Sequence, residues 1–332
     1  MKPIRITLAL LAIACSGVLV AACGGGNSSS GSGGGGTSSS SSPSNQGKIT
    51  KNSANSKVTL TIGSKNFTEQ KVLGEVYAQG LQAAGYTVKT DLNLGDQDVA
   101  LKALTSKQIS GYPEYTGTAL LAFFGVTSDK LPHDPQAAYE QTKKDFAKRG
   151  LVALPPTPFT DSNEVAVTKE TAQKYGLKKI SDLSKVAGKL TLYGSPECRK
   201  RLDCLLGLEQ VYGLHFKKFV PVDVSQRHEV LTSGRADVSI VFTTDPQIKR
   251  EGEVLLEDDK NMFPPYNSTL VMRKEVVDQA GPDLEKTVKL LNSQLTDENM
   301  QELNARVDLD KKSPSEVAKE YLQETGLVGN GS

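Results

Sequence analysis

Cys23 is the residue near the amino terminus whose surroundings indicate a specific reaction. It directly follows Val20-Ala21-Ala22, and these small residues end an apolar run that begins at residue 8. The run is too short to span a bilayer, so it predicts a secretory signal and not a membrane helix. We predict that a signal peptidase removes residues 1–22 and that the thiol of Cys23 carries a diacylglyceryl group. In the alternative, the signal peptide is an ordinary one and Cys23 is incidental.

Cys198 and Cys204 lie six positions apart in the exported part of the chain. Exported proteins fold in an oxidising environment, so this pair predicts a disulfide. A zinc site is the alternative reading, but it would need further cysteine or histidine ligands. His133, His215 and His228 show no metal-ligand spacing relative to the two cysteines. We therefore expect a disulfide and no metal.

Two cationic side chains are candidates for binding an anion. Lys65 follows Gly63 and Ser64 where a strand is expected to turn into a helix. Backbone N–H groups point outward at such a turn and favour anions, although a solvated surface lysine fits the same spacing. Arg201 ends the run Arg199-Lys200-Arg201, and such runs usually lie on a wetted surface. Spacing alone leaves both assignments open.

Other candidate side chains also have a structural interpretation. Tyr115 and Phe242 end apolar segments and could belong to the core as readily as to a site. Asp161 and Asp245 could each cap an element of secondary structure. His228 and the glutamate after it form an isolated pair, which is more typical of a surface than of a ligand set.

Composition and motifs argue against two functional classes. The chain has 39 basic and 38 acidic residues, a formal net charge of +1, and no basic block of the kind that binds nucleic acid. A Gly-x-Ser-x-Gly elbow, a free cysteine paired with a positioned histidine, and a cluster of histidines and carboxylates are all absent from the sequence. We predict a protein that is not an enzyme and that uses no cofactor.

The elements that must position these residues alternate between strand and helix. Strand-like alternation over 58–62 is followed by helical spacing over 67–84, and the pair repeats at 86–92 and 96–105. This order predicts an α/β fold with a parallel sheet covered by helices. Further strands are expected at 109–115, 163–168, 190–193, 236–242 and 269–273, and further helices at 118–124 and 134–149, with three helices closing the chain.

Two proline clusters divide the folded chain into two lobes. The first is Pro155-Pro156-Thr157-Pro158 and the second is Pro264-Pro265, so the chain is expected to leave one lobe, build another and return. The segment after Cys23 is rich in Gly and Ser and has almost no apolar side chain, which predicts a flexible tether. The expected divisions are the signal peptide over 1–22, the lipidated cysteine and tether over 23–56, lobe 1 over 57–160 plus 264–332, and lobe 2 over 161–263.

Two motifs resemble a known family. They are Ile62-Gly63-Ser64-Lys65-Asn66-Phe67-Thr68-Glu69-Gln70 and Tyr112-Pro113-Glu114-Tyr115-Thr116-Gly117-Thr118. Shorter matches follow in the family's order at 201–203, 234–238, 242–245 and 263–266. The sequence therefore resembles the osmoprotectant-binding proteins of glycine betaine, carnitine and choline ABC importers over nearly all of residues 58–325.

The resemblance implies a type II periplasmic-binding-protein fold, in which two α/β lobes close on a ligand in the cleft between them. It implies capture of a quaternary-ammonium compatible solute and delivery to an ABC permease with its ATPase. We expect a monomer that is held by lipid at the extracellular face of the cell membrane. The alternatives are a protein of the same fold for a different small solute and, further off, a sensory binding protein or an enzyme.

A quaternary ammonium has no N–H to donate, so the negative faces of aromatic rings must hold it. A carboxylate needs charge-assisted donors. Carried over by position, the resemblance implies a cage of Tyr115, Phe242 and Tyr266, carboxylate contacts from Lys65, Thr118 and Arg201, and an acidic residue, Asp161, beside the cage. Asn163 lies where the family commonly has a tyrosine, and Phe242 where another tyrosine is usual. Fewer rings and phenol oxygens predict a weaker or different cage.

Overall fold

The computed structural model describes residues 47–329, and within that range ten strands form two five-stranded sheets. Branched and aromatic residues dominate most of these strands, as the pleated and half-buried surface of a sheet requires. The strands are β1 (Thr59–Gly63), β2 (Thr87–Asp91), β3 (Gly111–Tyr115), β4 (Leu151–Ala153), β5 (Asn163–Val167), β6 (Thr191–Gly194), β7 (Lys218–Pro221), β8 (Val238–Phe242), β9 (Val254–Leu256) and β10 (Ser268–Arg273).

Lobe 1 is built on the sheet with strand order β2-β1-β3-β10-β4. The first three strands pair in parallel, as the sequence predicts, but β10 returns from the other lobe and runs antiparallel to both β3 and β4. The sheet is therefore mixed. Its antiparallel strand begins at Ser268, which pairs with Tyr115 at the end of β3.

Lobe 2 repeats this arrangement on the sheet with strand order β7-β6-β8-β5-β9. Strands β6, β7 and β8 are parallel, whereas β5 enters from lobe 1 and runs antiparallel to β8 and β9. Asn163 at the start of β5 pairs with Phe242 at the end of β8. Each lobe thus has one antiparallel strand that is joined directly to a crossing segment.

Twelve α-helices cover the sheets in the described range. They are α1 (Thr68–Ala83), α2 (Gln97–Thr105), α3 (Thr116–Thr118), α4 (Pro135–Ala147), α5 (Lys169–Tyr175), α6 (Leu205–Tyr212), α7 (Glu229–Thr232), α8 (Gln247–Glu251), α9 (Lys274–Ala280), α10 (Pro282–Asn292), α11 (Asp297–Asp308) and α12 (Pro314–Glu324). A π-helical turn, Ala119–Phe123, continues α3. Single 3₁₀ turns lie at Ser53–Lys57, Ser128–Lys130, Ile180–Lys185, Ala187–Lys189, Pro196–Lys200 and Val224–Gln226.

Four helices, not three, follow the last strand. Gly281 separates α9 from α10 with a φ of 74°, a conformation that glycine adopts without strain. The last helix begins with a serine cap, because the side chain of Ser313 accepts a hydrogen bond from the backbone N–H of Glu316 at 3.2 Å. Pro314 occupies the first helical turn.

The folded part begins before residue 57, so the predicted tether extends too far at its carboxyl end. Ile49 packs in the core of lobe 1, and its backbone N–H donates to the carbonyl of Leu327 at 2.9 Å. The amide of Asn55 is buried and donates to the carbonyl of Ala84 at 2.9 Å. These contacts hold the polar segment against lobe 1. Cys23 and the signal peptide lie outside the described residues.

Two antiparallel crossing segments connect the lobes. Thr160 pairs with Asn267 in an isolated bridge, and the backbone N–H of Asp161 donates to the carbonyl of Tyr266 at 3.1 Å. The prolines on both sides of this pair keep the crossings extended. The two lobes and their connection confirm the predicted α/β two-lobe fold, while the exact lobe boundaries stay a prediction. None of the helices in residues 47–329 is long and apolar enough to cross a membrane.

Candidate functional site

A cavity of about 70 Å³ is lined by residues of both lobes. It is bordered by the carboxyl ends of β1, β3, β6 and β8, which are the positions where open α/β sheets bind ligands. The crossing segments close one side of it with Asp161 and Tyr266. The topology therefore places residues from distant parts of the sequence around one space.

All eight side chains that the sequence predicts for the ligand site line this cavity. They come from the β1–α1 turn, the end of β3, α3, both crossings, the start of β5, the loop after β6 and the end of β8. They are Lys65, Tyr115, Thr118, Asp161, Asn163, Arg201, Phe242 and Tyr266.

Five aromatic rings line the cavity within the described part of the chain: Phe67, Tyr115, Tyr193, Phe242 and Tyr266. The ring of Phe67 is stacked on Tyr115 with centroids 6.2 Å apart, and it lies 5.3 Å from the ring of Phe242 at a tilt of 50°. Tyr266 approaches from the crossing segment, where a Cβ added to Gly117 would lie 2.7 Å from its ring. Only a glycine at position 117 lets this ring pack against α3.

Lys65 is almost fully buried beside these rings. Its ammonium nitrogen lies 2.5 Å from Oε1 of Glu114 and 4.5 Å from the centroid of the Tyr115 ring. Burial lowers the pKa of Lys65 from its ordinary value, and the charge of Glu114 opposes this shift. The lysine is therefore held between a carboxylate and a ring, and it is not the solvated side chain that its spacing alone allowed.

Arg201 is held by Asp203 in a two-pronged pair. Its Nε donates to Oδ1 at 2.7 Å and its Nη2 to Oδ2 at 2.5 Å. The hydroxyl of Tyr266 donates to the same Oδ2, and the side-chain amide of Asn163 donates to the backbone carbonyl of Asp203 at 2.9 Å. Burial opposes ionisation of Asp203, yet the charge and hydrogen bonds of Arg201 keep its pKa below the ordinary value.

The loop that carries Arg201 and Asp203 is closed by a disulfide. Cys198 and Cys204 are joined in the structure, with their Cα atoms 5.1 Å apart. Cys204 itself lines the cavity. The cross-link therefore confines a loop whose charged side chain points into the site.

Two carboxyl groups share one hydroxyl at the edge of the rings. The Oγ1 of Thr244 lies 2.6 Å from Oε2 of Glu69 and 2.8 Å from Oδ1 of Asp161. One hydroxyl proton cannot serve two ionised carboxylates, so one carboxyl must be protonated for both contacts to be hydrogen bonds. Burial and mutual repulsion raise the pKa of Asp161 well above its ordinary value, and burial also raises that of Glu69.

A buried ionic cluster supports Phe242 from lobe 2. Arg227 pairs with Asp245 through two hydrogen bonds, and its guanidinium carbon lies 4.7 Å from the Phe242 centroid. His228 bridges Asp245 and Glu253, at 2.9 Å from each. The sequence reading of His228 as a surface residue is therefore wrong, because two carboxylates compensate for its burial.

A family comparison gives the site its context. Residues 58–324 match the model of the family described as the substrate binding domain of ABC-type glycine betaine transport systems. The chain belongs to this family. It is therefore a substrate-binding component of an ABC-type transport system, and proteins of this kind act outside the cytoplasmic membrane. The family is one of binding proteins and not of enzymes.

Curated relatives agree with this assignment. The chain is 35% identical over 284 residues to a glycine-betaine-binding protein of Pseudomonas aeruginosa, which covers 82% of this chain and 90% of that protein. It is 33% identical over 270 residues to an ergothioneine transport permease/ergothioneine binding protein of Helicobacter pylori, covering 81% of this chain and 48% of that longer protein. A solved glycine betaine/carnitine/choline ABC transporter structure matches 80% of this chain and 98% of its own, at 27% identity and a TM-score of 0.64.

Sequence reasoning missed several side chains that line the cavity. Phe67 lies inside a motif that carried the resemblance, but only its neighbour Lys65 was assigned to the site. Tyr193 ends an apolar strand and gave no signal beyond core burial. Gln97 follows the helix cap Asp96, and its Oε1 accepts from Nη1 of Arg201 at 3.4 Å across the cleft. That contact depends on how the lobes face each other, which spacing along the chain does not show.

Proposed function

We propose that this protein captures a small quaternary-ammonium solute outside the cell and delivers it to the permease of an ABC importer. The observation that carries the proposal is the cavity itself, because five rings and two cationic side chains from both lobes line one space. Such a cavity suits a molecule with a methylated cationic head and a polar or anionic tail.

The rings supply the site for the cationic head. Tyr115, Phe242 and Tyr266 are the three that the family pattern assigns to a cage, and all three line the cavity. A cation held over a desolvated ring gains about 0.5 to 2 kcal/mol per contact. Asp161 adds a carboxyl group beside the same rings. We propose that the solute's ammonium group lies among these side chains.

Lys65, Arg201 and Thr118 supply the site for the polar tail. Both cations are already paired, Lys65 with Glu114 and Arg201 with Asp203. These pairs fix the direction of the N–H groups that Lys65 and Arg201 have left. Because both cations are already desolvated and paired, a solute carboxylate has less of their desolvation cost to offset. A solute oxygen is thus bound by oriented donors and not by free charge.

Attachment and assembly complete the proposal. We propose that Cys23 is lipidated and holds the protein at the extracellular face of the membrane, since a single thioether-linked diacylglyceryl supplies two buried chains. We propose further that it acts as a monomer, that it releases its solute to the permease unchanged, and that it performs no catalysis. The relatives favour glycine betaine, choline or carnitine as the solute, and the Helicobacter pylori relative adds ergothioneine as a candidate.

Titration calorimetry with glycine betaine, choline, carnitine and ergothioneine tests the proposal directly. We expect saturable binding of at least one of them, and Tyr266→Ala should weaken binding of the preferred solute at least about tenfold, or about 1.4 kcal/mol. The matched control is Tyr212→Ala, because the Tyr212 hydroxyl also donates to an aspartate but the ring lies away from the cavity. Absence of binding of all four solutes, or equal effects of the two variants, would overturn the proposal.

A further inference from the structure

Asn163 leaves one wall of the proposed cation site without a ring. Its side-chain amide donates to the carbonyl of Asp203 at 2.9 Å, and only 7% of the residue is exposed. The amide is therefore bonded to the loop that carries Arg201 and Asp203. Unlike an aromatic ring, it has no negative face that could bind a cation. If the site binds a quaternary ammonium as proposed above, another group must surround that side of the head.

Phe67 packs against Phe242, which is the residue that pairs with Asn163 across β5 and β8. Phe67 is the residue just before α1, its backbone is extended with φ −119° and ψ 167°, and its ring is only partly buried. The ring touches Tyr115 of its own lobe and Phe242 of lobe 2, with centroids 6.2 Å and 5.3 Å away. It is thus the middle ring of a three-ring cluster that spans the cleft.

The three rings differ in how far their faces are already used by the protein's own cations. The Lys65 ammonium lies 4.5 Å from the Tyr115 centroid, and the Arg227 guanidinium lies 4.7 Å from that of Phe242. For Phe67 the corresponding distance, to Lys65, is 5.9 Å, at the edge of the range in which a cation is attracted to a ring. A cation over one face draws on the same ring quadrupole that a second cation would use. Phe67 is therefore the least engaged of the three.

Lys65 also shows that this cluster accepts an ammonium group. Lys65 is 4% exposed, and its ammonium nitrogen lies 4.5 Å from the Tyr115 centroid and 5.9 Å from that of Phe67. Glu114 compensates its charge, with Oε1 2.5 Å from the ammonium nitrogen. A solute ammonium group among the rings would lie near the Asp161 carboxyl, with the ring faces as its other partners.

We propose that Phe67 is a specificity-determining wall of the cation site and replaces the ring that Asn163 lacks. The inference rests on the proposed function, because it assumes that the solute has a quaternary ammonium head. Phe67 then contributes through its negative ring face and not only through its volume. This predicts that changing the ring's electrostatics affects cationic ligands selectively.

The test compares choline with its neutral isostere 3,3-dimethyl-1-butanol, in which carbon replaces the ammonium nitrogen. For Phe67→Leu we expect choline affinity to fall about tenfold while affinity for the isostere changes less than about twofold. Phe67→Tyr should retain choline affinity. The control is Phe124→Leu, because Phe124 also has a side-chain cation near its ring, the guanidinium of Arg149 at 4.7 Å, yet lies outside the cavity.

A second measurement keeps the test decisive if the leucine variant folds poorly. Incorporating 3,4,5-trifluorophenylalanine at position 67 keeps the shape of the ring and weakens its negative face, so choline binding should fall and isostere binding should not. Equal losses for both ligands, or no loss in either variant, would overturn the role of Phe67 and leave the proposed function intact. If the unaltered protein binds choline no better than the isostere and binds no other quaternary ammonium solute, the proposed function fails and this inference fails with it.

Discussion

At the scale of single residues, three cationic side chains in or beside the site are each paired with a carboxylate of the protein. Lys65 pairs with Glu114, Arg201 with Asp203, and Arg227 with Asp245. Buried pairs of this kind contribute little net stability, but removing one partner leaves a charge that the interior cannot solvate. Their value at this site lies in orientation, since each pair fixes a side chain that lines or supports the cavity.

The carboxyl pair of Glu69 and Asp161 makes stability depend on pH. The pKa of each is raised in the folded protein, chiefly by burial. A raised folded pKa stabilises the fold fully below the unfolded value of about 4, and the contribution is lost as pH rises through the folded pKa. Glu69→Gln removes one member of the pair. We therefore expect the free energy of unfolding to fall less steeply with rising pH in this variant than in the unaltered protein.

Urea unfolding at pH 5 and pH 8 measures this difference. Other buried groups, including His228, whose pKa is also raised, titrate in both proteins and cancel in the comparison. The exposed Glu285 on α10 provides the matched control, and Glu285→Gln should leave the pH slope unchanged. Parallel pH dependences of the unaltered protein and Glu69→Gln would show that the pair does not share a proton as its geometry indicates.

At the scale of elements, the 198–204 loop carries the site residue Arg201 outside any strand or α-helix. It includes a 3₁₀ turn, and the disulfide together with the Arg201 pair holds its course between β6 and α6. Its polar contacts reach Tyr266 of the crossing segment and Gln97 of lobe 1. A change in this loop should therefore alter both the solute affinity and the free energy of unfolding.

Opening the disulfide tests this coupling. For Cys198→Ser with Cys204→Ser we expect a loss of about 2 kcal/mol in the free energy of unfolding, the chain-entropy value for so short a loop. Because Arg201 is no longer confined, solute affinity should fall too. Thermal unfolding and calorimetry measure the two effects, and mass spectrometry of the unaltered exported protein should find no free thiol at either position. Free thiols there, or a double variant as stable as its parent, would contradict the prediction.

At the scale of the whole molecule, the two lobes form one folded unit that only the crossing segments connect covalently. Noncovalent contacts beside the crossings include the bonds from Thr244 to Glu69 and from Gln247 to Asp308, which join lobe 2 to helices of lobe 1. Polar contacts of this kind can be exchanged for water at small cost, so they permit the lobes to separate and admit a solute.

Membrane attachment is the prediction that belongs to the whole chain. If Cys23 carries the lipid, Cys23→Ala should release the protein from the membrane fraction and abolish incorporation of radiolabelled palmitate. Solute affinity of the released protein should be unchanged, because the site lies entirely within residues 47–329. Membrane retention of the variant with full labelling would show that the anchor lies elsewhere.

Much of the site could be predicted from the sequence because its residues sit in short motifs at the ends of strands. Lys65 follows β1, Tyr115 ends β3, and the carboxyl ends of parallel strands meet at one edge of a sheet. Local patterns therefore identify the lobes and the strands that border the cleft, and the family resemblance implies most of its lining. The tether boundary was wrong because Ile49 packs in the core of lobe 1 and its backbone N–H donates to the carbonyl of Leu327, a contact distant in sequence.

The sequence by itself determined the α/β lobes, because periodicity is a local property of the chain, and its motifs carried the family resemblance that implied the eight lining residues. Only the tertiary structure decided which charges neutralise each other, that Phe67 stands between rings of both lobes, and that Thr244 joins two carboxyl groups. These are contacts between segments far apart in sequence, and their distances follow from how two sheets pack across a cleft. The spacing of residues along the chain does not reveal which of these distant segments come into contact.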